Sequence, residues 1–118
     1  MSDAEKVNEF LSTQNYMVLA VVLPDGLPWA TPVKLQLREG NVFEWDSALQ
    51  TEHSKALEQH PDMAITLFQK FEDTQIGVYA KGRGELVEEF KPGFGRYRFT
   101  ATNVWLNDET FRKREVTL

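Results

Sequence analysis

Residues 16–38 read YMVLAVVLPDGLPWATPVKLQLR, and this stretch decides the fold. Residues 16–23 are continuously apolar and rich in β-branched side chains, which is typical of a strand covered on both faces. Pro24, Asp25 and Gly26 have the chemistry of a tight turn. Residues 29–38 then alternate between apolar and polar side chains, as a half-buried strand does. The stretch therefore predicts a β-hairpin.

Further strand patterns follow along the chain. Residues 42–46 (VFEWD) are expected to pair back on the second strand, so that the first three strands form a meander. More strands are predicted over residues 63–69, 75–88 and 103–106, whereas residues 90–102 give only weak signals. Glycine at positions 82 and 84, inside a strand pattern, favours a sharp bend at a barrel corner.

Two helices complete the predicted elements. Ser2 and Glu5 fit a capping box ahead of a short amphipathic helix over residues 3–13. Thr51 is a plausible N-cap for a polar helix over residues 51–60. The sequence thus predicts a fold that is all-β dominated (β+α): a six-stranded, closed or nearly closed antiparallel β-barrel with two short helices, in one domain spanning residues 1–118.

Composition excludes several classes of function. The chain has 118 residues, no cysteine and a net charge of −5, so disulfides, thiolate chemistry and the usual zinc clusters are excluded. An acidic chain is not expected to bind nucleic acid over a broad surface. No apolar stretch approaches the ~20 residues needed to span a bilayer, and the N-terminus lacks the pattern of a signal peptide. We expect a cytoplasmic protein with no membrane contact.

Two features suggest a ligand site. Pro32 falls in mid-strand, where it removes a ladder donor; it indicates an edge, an ordinary bulge, or an interrupted ladder beside a flat ligand. Thr51, His53 and Lys55 lie together at a helix start, which is a favourable place for phosphate, although a charged helix is usually only a solvated face. No self-contained catalytic constellation is present, so any chemistry requires a cofactor.

Taken in order, six segments resemble a known family. They are a helix ending in FLSTQ, the strand YMVLAVV, the hairpin LPDGLPWATPV, the strand VFEWDS, the helix TEHSKALEQHP with its strand MAITL, and the strand VYAKGRGELVEE. From about Val7 to Glu89 this string resembles the pyridoxamine-5′-phosphate-oxidase-like family of FMN-binding split barrels. The resemblance implies that the six-stranded antiparallel barrel is a split β-barrel. The chain departs from the family's common pattern at Glu52, where a basic residue or glutamine is frequent, and at His53, which replaces a commoner lysine.

The resemblance implies a cofactor, FMN, bound at the interface of a homodimer. Carried over residue by residue, it implies the following contacts: Pro32, Val33 and Lys34 beside the isoalloxazine ring, Trp45, Asp46 and Ser47 along the ribityl chain, Thr51, His53 and Lys55 towards the phosphate, and Trp105 over the ring from the partner chain. The chain is then expected to be a flavin-binding protein, an FMN-dependent oxidoreductase with an unidentified substrate. Two alternatives remain open: a module of the same fold that holds haem or the deazaflavin F420, and a structural barrel without a ligand.

Overall fold

The computed structural model describes all residues from Met1 to Leu118. Two helices and eight strands follow one another in this order: α1 (Asp3–Ser12), β1 (Tyr16–Val22), β2 (Pro28–Lys34), β3 (Leu37–Glu39), β4 (Val42–Ala48), α2 (Glu52–Gln59), β5 (Asp62–Lys70), β6 (Gln75–Lys91), β7 (Phe94–Asp108) and β8 (Arg114–Val116). The strands form one sheet in the order β2-β1-β5-β6-β7-β4-β3, with β8 on β7, and every pairing is antiparallel. The predicted fold class is confirmed, with eight strands in place of six.

The barrel closes where the chain passes from β2 to β3. The N–H of Leu35 donates to the carbonyl of Asn15 (2.8 Å), beside β1, and the N–H of Gln36 donates to the carbonyl of Glu44 (2.9 Å), in β4. The chain changes partner strand between these two residues, so the single strand predicted over residues 29–38 is two strands. Residues 42–44 pair back on residues 37–39, as predicted for the end of the second strand. Strand β4 forms no ladder with β2, and its other partner is β7, so the predicted three-strand meander is confirmed only at this end.

The core lies inside the barrel and contains one cluster of 23 buried hydrophobic residues. Strand β1 contributes Met17, Leu19 and Val21, whereas Tyr16 and Val18 point outward and are 64% and 36% exposed. The prediction that both faces of this strand are covered is therefore wrong for the single chain. Its uninterrupted apolar character leaves an apolar outer face.

Strand β7 is much longer than the predicted strand over residues 103–106. Its buried positions run through Tyr97, Phe99 and Ala101 and then shift by one to Val104. Because the alternation changes phase, residues 94–108 do not follow one two-residue periodicity, and the sequence pattern did not reveal the full strand. The change of phase coincides with a bulge opposite Gly82. A Cβ at Gly82 would collide with the Thr100 carbonyl and lie 2.9 Å from the Ala101 Cα. Glycine at this position is therefore explained by a close approach to β7, and the predicted bend stays a prediction.

Both helices begin as predicted. Ser2 and Glu5 form a complete capping box at α1, and the Thr51 side chain accepts a hydrogen bond from the Ser54 N–H at the start of α2. Each cap satisfies backbone donors that the helix itself leaves free. Neither helix has the length and apolar character required to cross a membrane.

A buried carboxylate joins both ends of the chain. Asp108, at the end of β7, accepts from Lys6 Nζ at 2.8 Å and from Arg114 Nη2 at 2.9 Å. Arg114 also bridges to Asp3 in α1. The guanidinium of Arg114 is the main reason why the pKa of Asp108 lies far below its usual range. Strand β8, which the sequence analysis did not predict, is held in place by this cluster.

Candidate functional site

A split lies in the barrel between β2 and β4. No strand pairs with the second edge of β2. Strand β4 pairs with β3 only as far as Glu44, so its continuation from Trp45 to Ala48 has a free edge on the same side. Helix α2 begins directly after β4 and packs against β1 and β2. The segments that the resemblance assigns to the ring, the ribityl chain and the phosphate all border this split.

Pro32 lies on the free edge of β2. Hydrogen bonds between Leu23 and Leu27 and between Asn15 and Leu35 fix the alternation of the β1–β2 ladder. By this alternation Pro32, opposite Val18, falls at a position whose N–H would point away from β1. The register runs unbroken along the whole hairpin, so the interpretation of an interrupted ladder is wrong. Proline is accommodated here because it occupies an edge.

The other backbone groups on this edge are available to a ligand. The same alternation directs the N–H and C=O of Ala30 and Lys34, and the C=O of Pro32, into the split. The side chain of Val33 points into the barrel and is only 8% exposed. A cavity of ≈ 460 Å³ on the outer face adjoins Pro32 and is lined in part by Tyr16. Position 33 thus contributes to the core, while its neighbours border open space.

Trp45 is a core residue. Its side chain is fully buried and stacks on Tyr97 with a centroid distance of 5.6 Å and an interplanar angle of 15°. Its indole Nε1 has no hydrogen-bond partner. The ring leaves no surface for a ligand, so a contact with a ribityl chain at this position involves the backbone only.

The carboxylate of Asp46 is already paired. Arg96 on β7 donates to both of its oxygens, with 3.2 Å between Nη2 and Oδ2, and also reaches Glu44. These carboxylates raise the pKa of Arg96, with Asp46 as the main cause. Because its charge is neutralised, Asp46 repels an anion in the split less than a free carboxylate would.

Ser47, Thr51 and His53 meet where β4 leads into α2. The Oγ of Ser47 lies 2.9 Å from the Nε2 of His53, and the Oγ1 of Thr51 lies 3.4 Å from the same nitrogen. The Thr51 hydroxyl also lies 3.0 Å from the Ala48 carbonyl and caps the helix. Burial lowers the pKa of His53, so its imidazole is neutral near pH 7. Three of the predicted site residues are thus brought together.

The start of α2 carries free donors. No hydrogen bond occupies the N–H groups of Glu52 and His53, and a helix start has a partial positive charge. Lys34 and Lys55 are exposed and form no ion pair. The exposed carboxylate of Glu52 is the acidic side chain in the first turn. This end of the split is suited to an anion.

Trp105 lies on the far side of the outer face. Its register connects it through Tyr79, Thr66 and Val18 to Pro32, in one row across the sheet. Four strand spacings of about 4.8 Å separate the two ends, or roughly 19 Å. Trp105 therefore lies four strands away from the free edge of β2 along the sheet of its own chain.

The comparison with known families is decisive for the fold. The sequence matches the family model of pyridoxamine 5′-phosphate oxidase over residues 4–112. The chain belongs to the pyridoxamine 5′-phosphate oxidase family. No curated protein matches the sequence.

Solved structures with low sequence identity share the fold. A heme-binding protein from Mycobacterium smegmatis is 18% identical with a TM-score of 0.86, and the match covers 99% of this chain and 58% of that protein. A Clostridium acetobutylicum protein related to general stress protein 26 of B. subtilis, of the pyridoxinephosphate oxidase family, is 11% identical with a TM-score of 0.80 and coverages of 98% and 94%. A FAD-binding protein from Mesorhizobium loti is 12% identical with a TM-score of 0.75 and coverages of 89% and 92%.

One residue that contacts a predicted site residue was missed from the sequence. Arg96 lies in the region where the sequence gives only weak signals, yet it neutralises Asp46 across the β4–β7 ladder. The signal was present, because Arg96 and Arg98 alternate with the buried rings of Tyr97 and Phe99. Two arginines on one face of a strand indicate acidic partners on its neighbour.

Proposed function

We propose that this chain binds FMN in the split between β2 and β4 and acts as a small FMN-dependent oxidoreductase. The observation that carries the proposal is the split itself. The free edge of β2 at Pro32 lies on one side of it, and the start of α2, with its unoccupied backbone donors, follows β4 on the other side. Membership of the pyridoxamine 5′-phosphate oxidase family supports the choice of a flavin. One side of the split is suited to a flat heterocycle and the other to a phosphate.

The edge of β2 fits the polar rim of an isoalloxazine ring. That rim presents one N–H between two carbonyl oxygens, and an open strand edge presents donors and acceptors in alternation. Lys34 offers an N–H and Pro32 a carbonyl, and Pro32 has no N–H that would face the ring unpaired. The apolar surface beside Pro32 and Tyr16 matches the flat body of the ring.

The start of α2 fits the phosphate. Lys55 supplies a positive charge, and the free N–H groups of Glu52 and His53 add donors at the positive end of the helix dipole. The Ser47 hydroxyl, near the end of β4, lies beside this point. These groups favour a phosphate that carries close to two negative charges, provided that the exposed Glu52 side chain turns towards solvent.

Bound FMN would supply reversible electron transfer, chemistry that no side chain of this protein provides. The residues of the split then have binding roles. Backbone groups of β2 orient the ring, and Lys55 with the helix start anchors the phosphate. The neutral imidazole of His53, held by Ser47, keeps the turn between β4 and α2 in one conformation.

A homodimer completes the proposed site. The outer faces of β1 and β5 expose Tyr16, Val18, Val22 and Phe68, the last of these by 56%. A continuous apolar surface of this kind is typical of an interface. Pairing these faces across a two-fold axis would cover them and would bring Trp105 of the partner chain towards Pro32, whereas four strand spacings separate the two residues along the sheet of one chain.

Haem is the second candidate, because a structural neighbour is a heme-binding protein. The histidines argue for flavin instead. The Nε2 of His53 is held by Ser47, and His60 caps the far end of α2. Neither histidine lies on the outer face that adjoins Pro32, so this chain offers haem iron no histidine ligand there.

Titration of the purified protein with FMN, F420 and hemin, each followed by absorbance and by quenching of ligand or tryptophan fluorescence, tests the proposal. We expect saturable binding of FMN at one molecule per chain and weaker binding of the other two. Retention of hemin or F420 at one molecule per chain with no retention of FMN would overturn it.

A further inference from the structure

Two aromatic rings on the outer face of β6 and β7 each have a lysine above them. Tyr79 and Trp105 are direct register partners on neighbouring strands. The Nζ of Lys113 lies 4.7 Å from the centroid of the Tyr79 ring, and the Nζ of Lys81 lies 5.7 Å from that of Trp105. Both distances are within cation–π range. We refer to these four residues as the aromatic–lysine cluster.

The cluster forms one side of a cavity of ≈ 420 Å³, a volume typical of small-molecule sites. The opposite side consists of small or apolar side chains of β1 and β5, among them Val18 and Ala64. Gly77 keeps room for the cluster, because a Cβ there would lie 2.9 Å from the Oη of Tyr79. The cavity therefore has two aromatic rings on one side and small or apolar side chains on the other, a shape that accommodates a flat ligand.

The charge of the cluster is not balanced by ion pairs. Neither Lys81 nor Lys113 pairs with a carboxylate. Glu115, the acid in the same row of the sheet, accepts from Asn103 at 3.3 Å and also forms no ion pair. Two unpaired ammonium groups above an apolar floor, in a chain of net charge −5, select a ligand that combines a flat apolar body with a negative charge.

We propose that this cavity binds a planar aromatic carboxylate. The aromatic body packs on Tyr79, Trp105 and the floor, while the carboxylate is held by Lys81 and Lys113. The binding rests on the residues that line the cavity. Because Val18 also belongs to the face that the proposed homodimer pairs, the ligand lies between the two chains of the dimer. The role of the cavity as the substrate site of the flavin rests on the proposed function, since a two-fold dimer sets this face of one chain opposite the β2 edge of the other.

Calorimetric titration of the purified full-length protein with 2-naphthoate tests the inference, with the neutral isostere 2-naphthamide as the matched ligand control. The variants are Lys81→Gln, Lys113→Gln and the double variant, and Lys70→Gln on the exposed end of β5 is the control variant. Charge-assisted hydrogen bonds are worth enough that each single variant should lose roughly tenfold in naphthoate affinity. FMN affinity is measured for the same preparations.

We expect wild type and the Lys70 variant to bind naphthoate more tightly than naphthamide, and the double variant to lose this preference while its FMN affinity is unchanged. Equal binding of the two ligands by wild type, or equal naphthoate binding by all variants, would overturn the inference. A parallel loss of FMN affinity would also overturn it, because the lysines would then belong to the flavin site. Naphthoate binding without FMN binding would refute the proposed function and leave this inference standing.

Discussion

The Nε2 of His53 lies 2.9 Å from the Oγ of Ser47, so the first turn of α2 is fastened to the end of β4. This contact fixes the corner of the split where an anion would meet the helix start. It also buries a histidine, and burial lowers the pKa of His53 from its ordinary value of 6.5. The folded protein therefore disfavours the charged imidazole.

The first prediction concerns pH and stability. The unfolded chain takes up a proton at His53 as pH falls through about 6.5, whereas the folded chain resists it until its lower pKa is reached, so folding stability falls in this interval. We expect the free energy of unfolding, measured by urea denaturation, to decrease from pH 7.5 to pH 5.5. His53→Gln should weaken this decrease, and His60→Gln should retain it. An equal decrease in wild type and His53→Gln would contradict the assignment.

The second prediction concerns the phosphate end of the split. Lys55→Glu replaces an attractive charge with a repulsive one at the start of α2. Loss of a charge-assisted contact corresponds to about 10- to 100-fold in affinity, so FMN binding should weaken at least that much while the molecular mass in solution is unchanged. Lys70→Glu makes the same charge change on β5 and should bind FMN as wild type does. Unchanged binding by Lys55→Glu would show that the phosphate site is misplaced.

The third prediction concerns Asp108. Its side chain is almost fully buried and holds Lys6 and Arg114, which connect α1 and β8 to the barrel. Asp108→Asn removes the charge that both cations face and should lower the free energy of unfolding by about 2–4 kcal/mol. Glu109→Gln affects an exposed pair with Lys6, which solvent screens, and should lower the free energy of unfolding much less than Asp108→Asn does. Similar losses of stability for both variants would show that the buried ion pairs of Asp108 stabilise the fold no more than the exposed pair of Glu109 does.

The fourth prediction concerns the proposed homodimer. Val18 lies in the middle of the apolar outer face, and Val87 is exposed to a similar degree on the β6–β7 hairpin. Val18→Asp should convert a dimer into a folded monomer in analytical ultracentrifugation, because a charge in an apolar interface is costly. Val87→Asp should remain dimeric. A wild-type monomer, or dissociation by Val87→Asp, would refute the assignment of this face.

Local chemistry accounts for what the sequence predicted well. The capping box at Ser2 and the N-cap at Thr51 each follow from short-range rules, and each is confirmed. The pairing of residues 42–44 with residues 37–39 was predicted, but the ladder of β4 with β7 and its separation from β2 were not, because they depend on where the chain switches strands at Leu35 and Gln36. Nothing in the local pattern distinguishes that corner from a continuous strand.

The candidate site was predicted only where it depends on residues that are close together in the sequence. Ser47, Thr51 and His53 are near in sequence, and the structure brings their side chains together. Trp45 was expected to line the site, but which face of β4 enters the core is decided by its ladder with β7. Arg96 comes from that ladder too, so long-range pairing decides both of these residues.

The most direct test of the central claim is a crystal structure of the protein grown with FMN. We predict the isoalloxazine ring along the free edge of β2, near Pro32 and Lys34, with its phosphate at the start of α2 beside Lys55. A flavin bound on another surface, or a split closed by direct pairing of β2 with β4, would contradict the account.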